Sequence, residues 1–248
     1  MRMAFLMLFL CTVWPAWAHD SWFRAVPGAG AGAPQLSLGT GQRYPQQETA
    51  IAPEYLQAQG CRPTDSAGGE RFMRPLGYDG TQALRLKRPV AARSCWAQLV
   101  PLEVEVQPQR VDAYLREIRA SADMLAAWQA QRRQGLPWRE RYVKHARIDF
   151  GDAAGGTAPV PLGMDLVRLP GGQMQVLRDG QPLPGQAVEL LGDEAPFGIW
   201  RRSDEAGLLV LGALPPGRWL ARAVDLRPRS DEPGHWDSRF VSLAFEVR

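Results

Sequence analysis

The sequence predicts a mostly β protein with two β-sandwich domains, of the prealbumin or immunoglobulin-like type, joined by a short helical segment. Its 25 glycines and 21 prolines among 248 residues exceed the share of roughly 12% that is usual in globular chains, and so predict many turns. Short apolar stretches separated by turns recur at a spacing of about ten residues, which is typical of β-sandwiches. The hydrophobic period changes to a helical one after residue 108 and returns to two after residue 158, which places the helical segment between the domains.

The first 18 residues, 1–18, have the three parts of a secretory signal peptide. Arg2 supplies a positive charge, residues 4–13 form an apolar run, and Ala16-Trp17-Ala18 provides an A-x-A cleavage site. We therefore expect a mature protein that begins at His19 and works in the periplasm. No later stretch approaches the roughly 18 apolar residues that a membrane-spanning helix needs, so the mature chain is predicted to lack a membrane span.

Residues 19–108 form the predicted N-terminal β-rich domain. Its expected strands are Gln35–Leu38, Ala83–Leu86 and Cys95–Val106. In the last of these strands, apolar residues alternate with Glu103 and Glu105, which is the pattern of a half-buried strand. Loops are expected at residues 28–33 and 66–69, which are rich in small residues.

Two cysteines, Cys61 and Cys95, remain after removal of the signal peptide. An even number of cysteines in an oxidising compartment predicts a disulfide bond between them. Closing that loop would stabilise the fold by about 3.8 kcal/mol in the chain-entropy model. A reactive or metal-binding pair is the weaker alternative, because neither cysteine lies in a C-x-x-C motif or near a histidine in the sequence.

Residues 109–150 are predicted to be the helical segment. Over residues 109–134 apolar side chains recur at intervals of three and four, which predicts one amphipathic helix. These side chains are Val111, Tyr114, Leu115, Ile118, Ala122 and Leu125. Gly135 supplies a stop signal, and Pro137 suits the first turn of a second, shorter helix. Trp138, Tyr142 and His145 would share one face of that second helix.

Residues 158–248 form the predicted C-terminal β-sandwich domain. The expected strands, which are separated by turns rich in Gly, Pro and Asp, are Met174–Arg178, Ala187–Leu191, Leu208–Leu211, Arg218–Val224 and an alternating final strand, Val241–Val247. Trp219 and Trp236 lie in or beside these strands, so we expect them in the core.

Seven short stretches, spread over the whole mature chain, together resemble one known family. In chain order they are His19-Asp20-Ser21-Trp22-Phe23, residues 114–117, residues 139–144, residues 179–188, residues 203–207, residues 216–219 and Trp236-Asp237-Ser238 followed by residues 242–247. They are similar to a bacterial periplasmic family, formally a domain of unknown function, that was once described as the NikM-like component of nickel and cobalt uptake. The resemblance implies two β-sandwich domains with a helical connection. The former description of the family leads us to expect a metal ion as ligand and a membrane transporter component as partner. The family usually has a Gly-His-x-Phe-Pro-like stretch after its first strand, whereas this chain has Gly39-Thr40-Gly41-Gln42-Arg43-Tyr44-Pro45 there, so a metal role carried by that histidine would not transfer.

The three histidines of the chain, His19, His145 and His235, are the candidate metal ligands. After signal cleavage His19 would offer its α-amine and its imidazole to one ion, and both groups are accessible as neutral donors near pH 7. Such nitrogen donors favour copper, nickel, zinc or iron over calcium or magnesium. We therefore expect a divalent transition metal ion, copper or nickel, with His145 or His235 as second donor. Asp20 or Asp237 would add an oxygen donor.

Each histidine also has a purely structural interpretation. His145 can be a hydrogen-bonded core residue, His235 a solvated loop residue, and His19 part of a frayed terminus. The main hypothesis is a periplasmic protein that captures or delivers a divalent metal ion (nickel, cobalt or copper) for uptake or homeostasis, and is not an enzyme. The alternatives are a copper-dependent enzyme built on an N-terminal His19 site and a non-catalytic periplasmic interaction module.

Several other classes of function are disfavoured by the sequence. A net charge of only +3, with Lys and Arg scattered along the chain, argues against a nucleic-acid partner. The chain contains neither G-x-S-x-G nor H-E-x-x-H, so serine hydrolase and zinc protease chemistry is not expected. Glu103, Glu105 and Glu117 are interpreted as solvent-facing residues of a strand and a helix rather than as a glycosidase pair.

Overall fold

The computed structural model describes residues 20–26, 34–63, 71–79, 83–151, 156–195 and 197–248. These residues form a mostly β structure, as the sequence predicts, with several multi-stranded sheets. The signal peptide, His19 and the two predicted loops at residues 28–33 and 66–69 lie outside the described residues.

The described strands and helices have the following bounds. The strands are β1 (Asp20–Val26), β2 (Gln35–Gly41), β3 (Thr49–Ala50), β4 (Leu56–Pro63), β5 (Arg74–Asp79), β6 (Ala83–Lys87), β7 (Ala92–Leu99), β8 (Leu102–Val106), β9 (Trp138–Asp149), β10 (Met164–Leu169), β11 (Gln173–Arg178), β12 (Gln181–Pro182), β13 (Ala187–Gly192), β14 (Ile199–Arg202), β15 (Leu208–Val210), β16 (Gly217–Pro228) and β17 (His235–Val247). The α-helices are α1 (Pro108–Glu117) and α2 (Ala122–Arg133), and a short 3₁₀ turn covers Pro53–Tyr55.

The strands assemble into three sheets, and the largest draws on both halves of the chain. Its eight strands follow the order β14-β13-β16-β17-β9-β7-β4, with β8 paired to β9. A five-stranded sheet has the order β1-β2-β6-β5, with β3 on β2, and a four-stranded sheet the order β10-β11-β12, with β15 on β11. Among the described pairings only β9 with β17 is parallel. The division into domains 19–108 and 158–248 stays a prediction, because strands from both ranges share the eight-stranded sheet.

The eight-stranded sheet forms the central layer, because each of its faces covers a separate core. Successive side chains of a strand point to opposite faces. Ala146 and Ile148 of β9 therefore pack against β1 and β2, on what we name the β1 face. Arg147 points the other way and bonds Asp165 of β10, on what we name the β10 face. Helices α1 and α2 cover the other end of the β1 face, where Trp138 and Trp236 stack with ring centroids 4.2 Å apart.

The predicted disulfide bond between Cys61 and Cys95 is present. The two residues are direct cross-strand neighbours on β4 and β7, and their Cα atoms are 4.0 Å apart. Both are fully buried in the core under the β1 face. Trp219 and Trp236 are likewise buried, as expected.

The predicted single helix over residues 109–134 is wrong, since the structure has two helices there. Helix α1 ends after Glu117 and helix α2 begins at Ala122. The break has a local cause: Arg119 takes a positive φ of 50°, and the Ser121 hydroxyl accepts a hydrogen bond from the Met124 amide as an N-cap.

The predicted second helix after Pro137 is also wrong, because Trp138–Asp149 forms strand β9. Its side chains alternate between faces: Trp138 and Glu140 are buried, whereas Arg139 and Arg141 are exposed. This strand lies between β17 and β7 in the sheet, so pairing on both sides overrides the weak helical spacing. The predicted strand Cys95–Val106 is in fact two strands, β7 and β8, which are separated at residues 100–101.

Candidate functional site

A small pocket lies where the first residue of β1 meets the end of α1 and the β1 face of the large sheet. We name it the β1 pocket. Its lining residues are Asp20, Glu117, Ile118, Ala187, Trp200, Arg222, Ala223, Val224 and Phe240. Its volume of about 20 Å³ accommodates one species of the size of a water molecule or a single ion. The pocket is therefore too small for an organic substrate.

The pocket is held together by one arginine between two carboxylates. Arg222 of β16 forms an ion pair with Asp20 and a second one with Glu189, its cross-strand partner on β13, at 2.6 Å between Nη2 and Oε2. Burial opposes the charge of Arg222, but Asp20 and Glu189 outweigh burial and raise the pKa of the guanidinium. Arg222 therefore stays charged and keeps Asp20 in place.

Strand β1 fixes the position of Asp20, the residue that follows His19 in the sequence. Asp20 pairs with Gly41 of β2, and the carbonyl of Ser21 accepts a hydrogen bond of 2.5 Å from the Ser242 hydroxyl on β17. The next side chains, Trp22 and Phe23, are almost completely buried. The described chain is thus anchored from its first residue, rather than frayed there.

Glu117 contributes a third carboxylate to the β1 pocket. It is half-buried at the last position of α1, which corrects the expectation that it faces solvent. Burial raises the pKa of Glu117; Arg222 opposes this, and Asp20 and Glu189 reinforce it. Within the described part of the chain no donor is hydrogen-bonded to its carboxylate. Its sequence signal was an acidic residue at a helix C-terminus, where the helix dipole disfavours negative charge.

His145 lies away from the β1 pocket, on the β10 face of the sheet. It is 2% exposed, and its Nδ1–H donates to the carbonyl of Phe240 at 3.1 Å. Burial lowers the pKa of His145 to about 4; the neighbouring Arg239 adds to this, and the bond to Phe240 opposes it. The interpretation of His145 as a hydrogen-bonded core residue matches this geometry.

His235 is the first residue of β17 and is half-buried, with its Nε2 3.3 Å from Glu232 Oε1. The parallel pairing places His145 beside Val241, six residues further along β17. At a rise of about 3.3 Å per residue, the two histidines are about 20 Å apart. Asp237, proposed as an oxygen donor, lies two residues from His235 on the same β10 face.

The structure therefore does not bring His145 and His235 together, and both lie across the sheet from Asp20. Within the described ranges no group of three His, Cys, Asp or Glu side chains is arranged to hold a metal ion. His19 lies outside those ranges.

Two other buried polar clusters have a structural role. Arg147 is fully buried and bonds Asp149 and Asp165, which ties β9 to β10. Glu140 is buried beneath the helices, where it accepts hydrogen bonds from the Tyr114 hydroxyl and the Trp138 indole, and from Ser238. Both carboxylate clusters are closed by their own partners, so we do not assign them a ligand.

No protein-family model, curated protein or solved structure matches this chain. We therefore infer the chemistry of the β1 pocket from the residues that line it. Of the helices in the described part of the chain, none combines the length and apolar character that crossing a membrane requires.

Proposed function

We propose that this chain is an exported periplasmic protein that captures or hands on a divalent transition metal ion (nickel, cobalt or copper) at its mature N-terminus. The observation that supports this function is the β1 pocket, which holds Asp20 and a half-buried Glu117 beside the point where His19 joins the chain. The resemblance to the NikM-like family of nickel and cobalt uptake supports the same function.

The donor types around the pocket fit such an ion. The amine and imidazole of His19 would supply two nitrogen donors, and the carboxylate of Glu117 one oxygen donor, a set that suits copper, nickel or zinc. In place of His145 or His235, Glu117 is the second donor that we propose. Arg222 has a positioning role, because its ion pair with Asp20 holds the start of β1 against the sheet.

Calorimetric titration with Cu²⁺ and Ni²⁺ tests this function on two forms of the protein. One form begins at His19, and the other carries one additional methionine that removes the amine chelate. We expect the extended form to bind on the order of tenfold more weakly, or worse, which corresponds to about 1.4 kcal/mol or more. Equal affinities of the two forms would contradict an N-terminal site.

Single substitutions in the processed form identify the second donor. Glu117→Gln should weaken binding, whereas Glu103→Gln, a matched change at an exposed strand residue, should leave it unchanged. His145→Gln and His235→Gln should also leave it unchanged, because both side chains lie on the β10 face. A loss of affinity in one histidine variant, with none in Glu117→Gln, would restore that histidine as the second donor and reject Glu117.

A further inference from the structure

Strand β16 has an open edge along its last five residues. On one side it pairs with β17 over its whole length, from Gly217 to Pro228. On the other side β13 pairs with it only from Trp219 to Ala223. Residues 224–228 therefore continue the strand with one hydrogen-bonding side that no described strand covers.

Part of the backbone of this edge faces the side on which the pairing with β13 has ended. The Gln186 amide reaches in from that side and donates to the Val224 carbonyl at 3.0 Å. Alternate residues of an antiparallel strand direct their amide and carbonyl groups to the same side, so those of Leu226 also point away from β17. Among the described residues none forms a hydrogen bond with them. Leu226 thus offers one donor and one acceptor to an added chain.

A groove runs along this edge, and we name it the β16 groove. It lies between the turn that joins α1 to α2 and the segment that leads into β13, and its volume is about 420 Å³. Its apolar lining includes Met124, which is partly exposed, and Leu183 and Leu226, which are 9% and 6% exposed. The volume lies within the range of about 300–1,000 Å³ that is usual for ligand sites.

The rim of the β16 groove is strongly positive. Arg119, Arg202 and Arg227 line it, and all three are exposed. The lining carboxylate, Asp225, is already paired with Arg178 and Arg227. The groove therefore carries an excess of positive charge over an apolar floor.

Arg119 is held at the rim by an uncommon backbone conformation. It occupies the position after the C-cap of α1 at a φ of 50°, where glycine is favoured. The amide of the next residue, Ala120, bonds the carbonyl of Leu115, which completes a Schellman motif. The guanidinium of Arg119 lies 4.6 Å from the centre of the Trp200 ring. Arg119 thus occupies, beside the groove, a backbone conformation that favours glycine.

We propose that the β16 groove binds an extended acidic segment of a partner protein as an additional strand. Backbone bonds to Leu226 would hold the segment, and the three arginines would select acidic side chains. Five edge residues span about 17 Å, enough to pair with four or five residues of the segment. A second copy of this chain is a poor occupant, because it would bring three more arginines to the same edge. The proposal is independent of metal binding, since Glu117, the described residue that we propose as a metal donor, does not line the groove.

Fluorescence anisotropy tests the proposal with a labelled hexapeptide of alternating glutamate and valine. Three further probes are its lysine–valine counterpart, a form N-methylated on the valines and a form N-methylated on the glutamates. We expect the protein to bind the acidic peptide at least tenfold more tightly than the basic one, and more weakly as salt rises. One of the two methylated forms, the one whose blocked amides face β16, should lose at least tenfold in affinity. Equal binding of all four peptides would overturn the proposal.

Variants locate the site. The double variant Arg202→Glu/Arg227→Glu should weaken binding of the acidic peptide at least tenfold, whereas Arg43→Glu/Arg133→Glu, at exposed sites outside the groove, should not. Thermal unfolding checks that both variants are folded. Equal effects of the two double variants on peptide affinity would show that the acidic peptide does not bind in the β16 groove. A dimer of the free protein that blocks peptide binding would show that a second copy fills the groove, and would also overturn the proposal.

Discussion

Arg222 on β16 is ion-paired with Asp20 on β1, across 202 residues of sequence, and this contact joins the five-stranded sheet to the central one. The same guanidinium bonds Glu189 of the neighbouring strand. One buried cation thus neutralises two carboxylates and fixes the beginning of β1. The β1 pocket depends on this arrangement, because Asp20 would otherwise face a second buried carboxylate.

Replacing Arg222 with glutamine should destabilise the protein by about 3 kcal/mol, because it leaves two largely buried carboxylates without a cation. Arg218→Gln is the matched control on the same strand. Arg218 pairs with Asp193 at 2.8 Å but is 57% exposed, so its loss should cost about 1 kcal/mol or less. Urea denaturation at neutral pH measures both variants. Similar losses in the two would contradict the special role of Arg222.

His145 should make stability fall as the solution becomes acidic. Its folded-state pKa of about 4 lies below the ordinary value of 6.5, so the unfolded chain takes up a proton more readily. The neutral, buried His145 therefore contributes its full stabilisation above pH 6.5, and this stabilisation is lost as pH falls towards 4. The loss amounts to on the order of 3 kcal/mol. His145→Gln should lack this loss. Denaturation midpoints of the parent protein and of His145→Gln, measured between pH 4 and 7.5, test this prediction. If the midpoints of the two proteins fall in parallel as pH is lowered, His145 does not cause the loss of stability.

Glu140 should have the opposite effect on the pH dependence. Burial raises its pKa above the ordinary value of 4.5, although hydrogen bonds from Ser238, Trp138 and Tyr114 oppose the shift. A raised folded-state pKa means that ionisation costs stability as pH rises above 4.5. Glu140→Gln should therefore gain stability relative to the parent protein as pH rises above 4.5. Glu103→Gln, an exposed control, should show no such trend, and a trend of equal size there would reject this interpretation.

Strands were predictable from the sequence where the apolar residues within the strand and the turns beside it are enough to identify it. The strands around Gln35, Ala83, Met174 and Ala187 all begin within one residue of their expected positions. Strand β9 was missed because Trp138, Tyr142 and His145 also fit a helical spacing. Only the partner strand β17, nearly a hundred residues later, decides between the two periods.

The candidate site was harder to predict than the fold. The sequence identifies the histidines as candidate metal ligands by residue type. Their spacing along the chain does not predict which face of a sheet each histidine occupies. His145 and Asp20 lie on opposite faces, and that follows from the register of β9 and from the packing of β1. Glu117 carried a local signal, an acidic side chain at the end of a helix, but its burial depends on Asp20 and Arg222 from distant strands.

The parallel contact of β9 with β17 has a consequence for folding autonomy. A fragment that contains only residues 158–248 would leave ten residues of β17 without the neighbour that they have in the full chain. Such a long unprotected edge promotes self-association. We expect this fragment to aggregate when it is produced alone and to be rescued by co-expression of residues 19–157. In the intact chain the two halves should then melt in a single transition, as one cooperative unit.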